Sequence, residues 1–215
     1  MVLKGKKTKK PKRAANVSIM LDIPKQDPNA SLCIGCPGPC CSLYPELTVY
    51  DVFRLALSQS KPLSDYVIMH YTHDDDAIPI SISGKTVKMT LTHENGKCIF
   101  FDDSSGLKCS IQDVKPGICL EYPYVFLDGG LKGGQVPCPK ANLERLAWTE
   151  EQDRILVDSR WELDRHMEIA ADWNAVSGGK KDLSEFLKFA AREIEYEKTP
   201  WGSAIRKIKR AFRKR

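Results

Sequence analysis

The chain has no run approaching the roughly 18–20 consecutive apolar residues that a membrane-spanning helix needs. A basic stretch opens it, but the segment that follows, Ala14 to Ile23, is too short and interrupted to be a signal-peptide core. No GxxxxGK[ST] phosphate loop and no GxSxG nucleophile elbow occurs. No internal repeat is visible. Histidine is scarce, with four in 215 residues, and none stands inside the cysteine segments. These absences make a cytoplasmic protein without a transmembrane segment the expectation.

What remains is ordinary in bulk and unusual in detail. A hydrophobic fraction of 42% and a charged fraction of 28% suit a globular chain with enough apolar material for a core. The net charge of +5 conceals a division. Residues 1–13 hold seven Lys or Arg and no acid, and residues 201–215 hold seven more and no acid. Between them 19 basic residues face 28 acidic ones, a body of net −9 with two basic ends.

Eight cysteines carry the chemistry: Cys33, Cys36, Cys40, Cys41, Cys98, Cys109, Cys119 and Cys138. In a reducing compartment such a set argues for metal or redox chemistry rather than disulfides. The first four follow C-x2-C-x3-C-C, and Gly35, Pro37, Gly38 and Pro39 supply a pre-bent backbone between them. A C-x2-C turn lets two sulfurs converge while nearby backbone N–H groups hydrogen-bond them. In extended chain Cys40 and Cys41 would point to opposite faces, so one of them would bridge, face a second metal, or pack. A lone cysteine is usually a small buried apolar residue, but this cluster is not explained that way. Thiolates without histidine favour an iron–sulfur cluster, Zn²⁺ or Cu(I) over Mg²⁺ or Ca²⁺. The two cysteine sets lie 56 residues apart, so any shared site is assembled by the fold.

The coarse pattern predicts an α+β protein. Residues 1–15 read as a disordered basic arm, 16–140 as a cysteine-cluster metal-binding domain, 141–199 as a helical extension and 200–215 as a basic amphipathic helix. Thr48 with Asp51 forms a capping-box pattern ahead of a helix over Val49–Ser58, and Ser64 starts a second short helix through His70. IPISIS and TVKMTLT around Gly84-Lys85 read as a hairpin, and KCIFFD with LKCSI as another through Asp103–Gly106. GGLKGG reads as a turn. Thr149 with Gln152 opens a long helix whose stripe is Leu156, Leu163, Met167, Ala170 and Trp173, ended by Gly178-Gly179. A further helix carries Leu183, Phe186, Leu187, Ala190 and Ile194 on one face.

The cysteine frame, followed by GKCIFFD, CSIQDVKPGIC and LEYPY, resembles the YkgJ-type cysteine-cluster family, described as zinc- or iron-chelating. Over residues 31–140 the resemblance places Cys98, Cys109 and Cys119 on that family's three downstream cysteines, with Pro116 and Tyr122-Pro123 in place. Gln112 stands where Tyr is usual, Lys115 where Arg is, and Leu120 where Arg often follows the cysteine. The resemblance implies a metal-chelating domain and leaves the reaction open.

Other candidates have plainer readings. His70 and His73 with Asp74–Asp76 suit a metal site, or a helix end followed by a solvated acidic loop. His93-Glu94 fits a hairpin edge, and His166 a packed or surface histidine beside an apolar stripe. Asp102-Asp103 fits turn chemistry. In the basic end Trp201, Ile205, Ile208 and Phe212 follow helical spacing, which suits an anionic partner (nucleic acid, a membrane surface or an acidic protein) or simple solubilisation.

The expectation is thus a metal-binding protein with a Cys-ligated centre. A [4Fe–4S] or other iron–sulfur cluster is preferred, zinc comes next, and Cys33, Cys36, Cys40, Cys109 and Cys119 are the firmest ligands. Its role would be electron transfer, metal handling or cluster-assisted modification of a partner. The rivals are a zinc-structured binding module and an enzyme whose pocket the sequence does not name.

Overall fold

The structure, a computed structural model, describes residues 33–72, 80–127, 130–133, 138, 150–176 and 182–197. The basic arm, the acidic stretch His73–Asp76 and the basic helix after Pro200 lie outside the described residues.

Helix α1 (Val49–Ser58) starts where its capping box predicts. The Thr48 hydroxyl accepts the Asp51 N–H at 3.2 Å, and the Asp51 carboxylate accepts the Thr48 N–H at 2.9 Å. Two N–H groups at the helix start are thereby satisfied. Val49, Val52 and Leu55 are fully buried.

Three antiparallel strands, β1 (Val67–Tyr71), β2 (Ile80–Ile82) and β3 (Lys85–Leu91), form a sheet with β3 in the middle. The β2–β3 hairpin matches the sequence pattern, turning at Ser83-Gly84 with Ile80 opposite Val87. Val87, Met89 and Leu91 alternate into the core. The helix expected from Ser64 to His70 is absent. One 3-10 turn at Leu63–Asp65 gives way to β1, which pairs with β3 from Val67↔Leu91 to Tyr71↔Val87. A helix of two turns is marginal alone, whereas Val67, Ile68 and Tyr71 suit a half-buried strand beside an open edge.

A small hairpin follows, β4 (His93–Glu94) with β5 (Lys97–Cys98). Its turn residues Asn95 and Gly96 both have positive φ, 51° and 76°, the geometry that matches strand twist in two-residue turns. The hairpin expected between KCIFFD and LKCSI shrinks to one bridge, Phe101↔Cys109. The loop between them is held locally, with Asp102 accepting the N–H groups of Ser104 and Ser105 as turn chemistry predicts.

Short helix α2 (Gly117–Glu121) leads into β6 (Tyr124–Leu127) paired with β7 (Gly130–Gly133). GGLKGG is therefore partly strand and not simply a turn. The ladder offered by the preceding Tyr-Val-Phe-Leu outweighs the poor intrinsic strand preference of glycine.

Helix α3 (Glu150–Ala175) confirms the long helix, with its face rotated from the predicted stripe. Leu156, Ala170 and Trp173 are buried, but Met167 is 49% exposed, while Arg165, His166 and Ile169 turn inward. The rotation serves edge strand β2. The Trp173 indole N–H donates to the Ser81 carbonyl at 2.9 Å, and the Asn174 side chain accepts the Ser81 N–H at 2.8 Å. Helix α4 (Leu183–Glu197) buries Phe186, Ala190 and Ile194 as its spacing predicts, with Phe186 against the Trp173 ring. One contiguous core joins α1, the sheet, α3 and α4. Each fully buried side chain such as Phe186 or Ile169 contributes about 1.5–3 kcal/mol. The class is α+β with a helical C-terminal region, and among the described residues no helix is long and apolar enough to cross a membrane.

Candidate metal centre

The first cysteine segment is a chain of tight turns. The Cys36 N–H donates to the Cys33 carbonyl at 3.1 Å, and the Cys41 N–H to that of Gly38 at 3.0 Å. Between them Gly38 donates its N–H to the Cys36 sulfur at 3.4 Å, the N–H···S contact expected of such a loop. Gly38 has φ 66°, and a Cβ there would lie 2.7 Å from the Phe101 ring. Only glycine therefore allows this approach of the loop to the second segment.

Cys40 and Cys41 are not in extended chain. They occupy a 3-10 turn over Pro39–Ser42, where successive side chains stand about 120° apart, and their sulfurs hydrogen-bond each other. That bond, then burial, pushes the Cys40 thiol far above the usual thiol range. The opposite-faces argument fails here because it presumed strand geometry.

The second segment is positioned by separate elements. Cys98 ends β5, Cys109 is bridged to Phe101, and Cys119 lies in α2. Helix α2 is anchored through its first residue, whose N–H donates to the Asp51 carboxylate on α1 at 3.0 Å. Lys97 ties the segments together by donating to the carbonyls of Pro37 at 2.6 Å and Gly38 at 3.0 Å, with its ammonium 4.8 Å from the Phe101 ring centroid.

All eight cysteines line one cavity of about 270 Å³. Its other walls are mostly apolar, including Leu91, Phe100, Phe101 and Ile118, with Tyr44, Lys108, Lys115 and Tyr122 as polar members. Burial pushes the Cys98 thiol up to about 11, partly offset by the Phe100 and Phe101 N–H groups. Burial likewise raises Cys119 well above its ordinary value, with Cys98 and Cys109 adding to the push and Lys115 opposing it. The Tyr122 hydroxyl is raised to about 12, by burial first and then by the sulfurs of Cys40, Cys138, Cys36 and Cys33. None of the eight cysteines is joined in a disulfide. Among the described residues no three Cys, His, Asp or Glu side chains are already set around a single ion.

The donor chemistry fits a soft metal or cluster: clustered sulfurs, an N–H···S bond and an apolar wall. A family model, CxxCxxCC, whose description reads "Putative zinc- or iron-chelating domain", matches residues 32–153. The chain belongs to the CxxCxxCC family. The match spans all eight cysteines and reaches the first turn of α3. This member has three residues between Cys36 and Cys40 where the family's name has two. Zinc or iron chelation is the property attached to the family. No curated protein and no solved structure matches the chain.

The histidines take other places. Both ring nitrogens of His93 meet carbonyls, Leu91 at 3.1 Å and Leu43 at 2.9 Å, which occupies the atoms a metal would need. His70 lies on β1, where its ring packs on Tyr44, and not at a helix end. His166 is 1% exposed, accepts the Val49 N–H at Nδ1 and is pushed down to about 4, by burial first. Sequence reasoning missed Lys97, Asp51 as the holder of α2, and the wall position of Lys115. The "Lys-Pro before Cys" of CSIQDVKPGIC was the available signal for the last.

Proposed function

We propose that this chain is a metal-binding protein whose cysteines hold one thiolate-ligated centre, an iron–sulfur cluster of the [4Fe–4S] kind in preference to zinc. The observation that carries the reading is the convergence of eight sulfurs from two distant segments on one cavity. Its size favours a multinuclear core, since one zinc ion needs only four sulfurs, about 2.3 Å away. Cys33, Cys36, Cys40, Cys109 and Cys119 are the proposed ligands, with Cys41, Cys98 and Cys138 completing or bridging the set. Residues 16–140 would form the metal-binding unit and 141–199 its scaffold, in a reducing cytoplasm.

When bound, such a cluster supplies one-electron transfer, and a zinc ion would supply rigidity or Lewis acidity. The chain does the rest. The Gly38 N–H orients the Cys36 sulfur, Lys97 joins the two segments, and the apolar wall limits water around the sulfurs. Electron transfer is the role this best supports, with metal handling or cluster-assisted modification of a partner as the nearby alternatives.

Anaerobic and aerobic purification with metal analysis tests the reading. A brown, oxygen-sensitive protein with stoichiometric iron and sulfide supports the cluster, and a colourless one with zinc supports the second metal. Normally folded protein with no stoichiometric iron, zinc or copper, or with these cysteines paired as native disulfides, sinks it.

A second reading rests on the fourteen Lys and Arg, with no acid, in residues 1–13 and 201–215. There zinc only holds the fold while the basic ends engage nucleic acid, a membrane surface or an acidic protein. Binding that does not weaken with salt would contradict it.

A further inference from the structure

A thiolate centre in an apolar wall carries a charge problem. Four thiolates around one Zn²⁺ leave a net charge of about −2, and a buried charge is costly unless a partner offsets it. The rest of the body worsens the balance, with net −9 outside the two basic ends.

Lys108 and Lys115 line the cavity, and Lys97 borders it at the Pro37-Gly38 turn. Lys97 spends its ammonium on the carbonyls of Pro37 and Gly38. Lys108 pairs with the Asp103 carboxylate at 2.8 Å. Lys115 lies in the cavity wall with 7% of its surface exposed. Two residues on, the Gly117 N–H is held by Asp51 at 3.0 Å, so the Lys115-Pro116 segment is fixed from α1. The cavity it lines is lined as well by Cys40 of the first segment and Cys119 of the second.

Resting on the metal-centre reading above, we propose that Lys115 is a charge-compensating residue of that centre: a buried lysine in the wall that both cysteine segments line, whose charge offsets the negative charge their sulfurs carry when metal is bound. It acts through the sulfurs and is a positioning and charge-setting residue, not a ligand. Its loss weakens metal retention and makes reduction of a cluster harder, because reduction adds another negative charge to an uncompensated site.

The test uses the full chain purified without air, as wild type, Lys115→Met and Lys115→Arg. Metal per chain, retention against a chelator, and (for the iron form) the reduction midpoint are read, with thermal melting as a check of folding. Lys115→Met should hold metal about 10–100-fold more weakly, as other outer-shell losses do, and shift the midpoint to more negative values. Lys115→Arg, which keeps the charge, should stay within a few-fold of wild type. Unchanged affinity and midpoint in Lys115→Met overturn the proposal, and so does an equal loss in both variants, which marks side-chain shape rather than charge. If Lys115→Met does not fold, Lys115→Gln against Lys115→Arg decides by the same criteria. Wild type that binds no metal refutes the metal-centre reading itself, a separate result.

Discussion

The carboxylate of Asp51, on α1, accepts the backbone N–H of Gly117 across 66 positions of chain, at 3.0 Å. That contact ties the capping-box helix α1 to the start of α2, which carries Cys119. The same carboxylate also takes the Thr48 N–H and hydroxyl, each at 2.9 Å, and an Arg54 guanidinium N–H at 2.6 Å. Arg54 in turn forks onto Glu162 of α3. A capping residue thus doubles as the joint between scaffold and cysteine cavity.

Replacing Asp51 should therefore cost more than a cap. Asp51→Ala leaves Arg54 with one carboxylate in a buried setting and frees Gly117, and a loss of about 3–5 kcal/mol is expected. Urea denaturation of the metal-free protein measures it. The double variant Asp51→Ala/Arg54→Met should lose less than the two single losses combined, because each single variant breaks the Asp51–Arg54 contact and the double variant breaks it only once. Strict additivity would show that the two residues do not act as a pair.

What the sequence disclosed follows from the range of each signal. The Thr48–Asp51 box, the Val49–Ser58 helix, the β2–β3 hairpin and the inward face of α4 are written within a few residues and were legible. The eight cysteines led to the expectation of a shared site by residue type, and in the structure all of them line one cavity. Other features depend on partners far along the chain. Residues 67–71 become a strand because β3 is beside them, Met167 faces out because β2 claims Trp173 and Asn174, and Asp51 meets Gly117 only after folding. The turn at Pro39–Ser42 was hidden differently, since prolines and glycines announce a bend without fixing which way Cys40 and Cys41 face.

Gly38→Ala should separate the cavity from the rest of the fold. An alanine at φ 66° carries roughly 1–2 kcal/mol of backbone strain, and its Cβ would meet the Phe101 ring at 2.7 Å. Both costs fall on the first cysteine loop, far in sequence from α3 and α4. Metal per chain should drop sharply while far-UV circular dichroism keeps the helical signal. Full metal content in this variant would mean that the loop does not need its close approach to Phe101.

Lys97→Met should loosen the first segment before metal is bound. The ammonium holds two carbonyls of the loop, but it sits near solvent, so a net effect of about 1 kcal/mol on global stability is expected. The sensitive measurement is local. Amide hydrogen exchange at Cys36 and Cys41 in metal-free protein should accelerate, with exchange in β3 and α3 little changed. Uniform acceleration throughout would show general destabilisation instead.

The buried His166 predicts a pH dependence with a definite sign. Burial lowers its value from 6.5 to about 4 in the folded chain, and Asp51 only partly opposes that. Between these values the unfolded chain binds a proton that the folded chain refuses, so stability from this group is complete above about pH 6.5 and is lost as pH falls toward 4. The gap corresponds to about 3 kcal/mol at most. Glu121 works the other way over part of the window, since burial pushes its carboxyl up to about 7 and the folded chain there binds the extra proton. A plain stability-against-pH curve mixes the two, and the difference between wild type and His166→Gln separates them. Glutamine can still accept the Val49 N–H but has no proton to gain. The variant should be less stable at pH 7.5, and its deficit should shrink steadily from pH 6.5 to pH 4. A deficit that stays constant across that range would show that His166 takes up its proton in the folded state as readily as in the unfolded one.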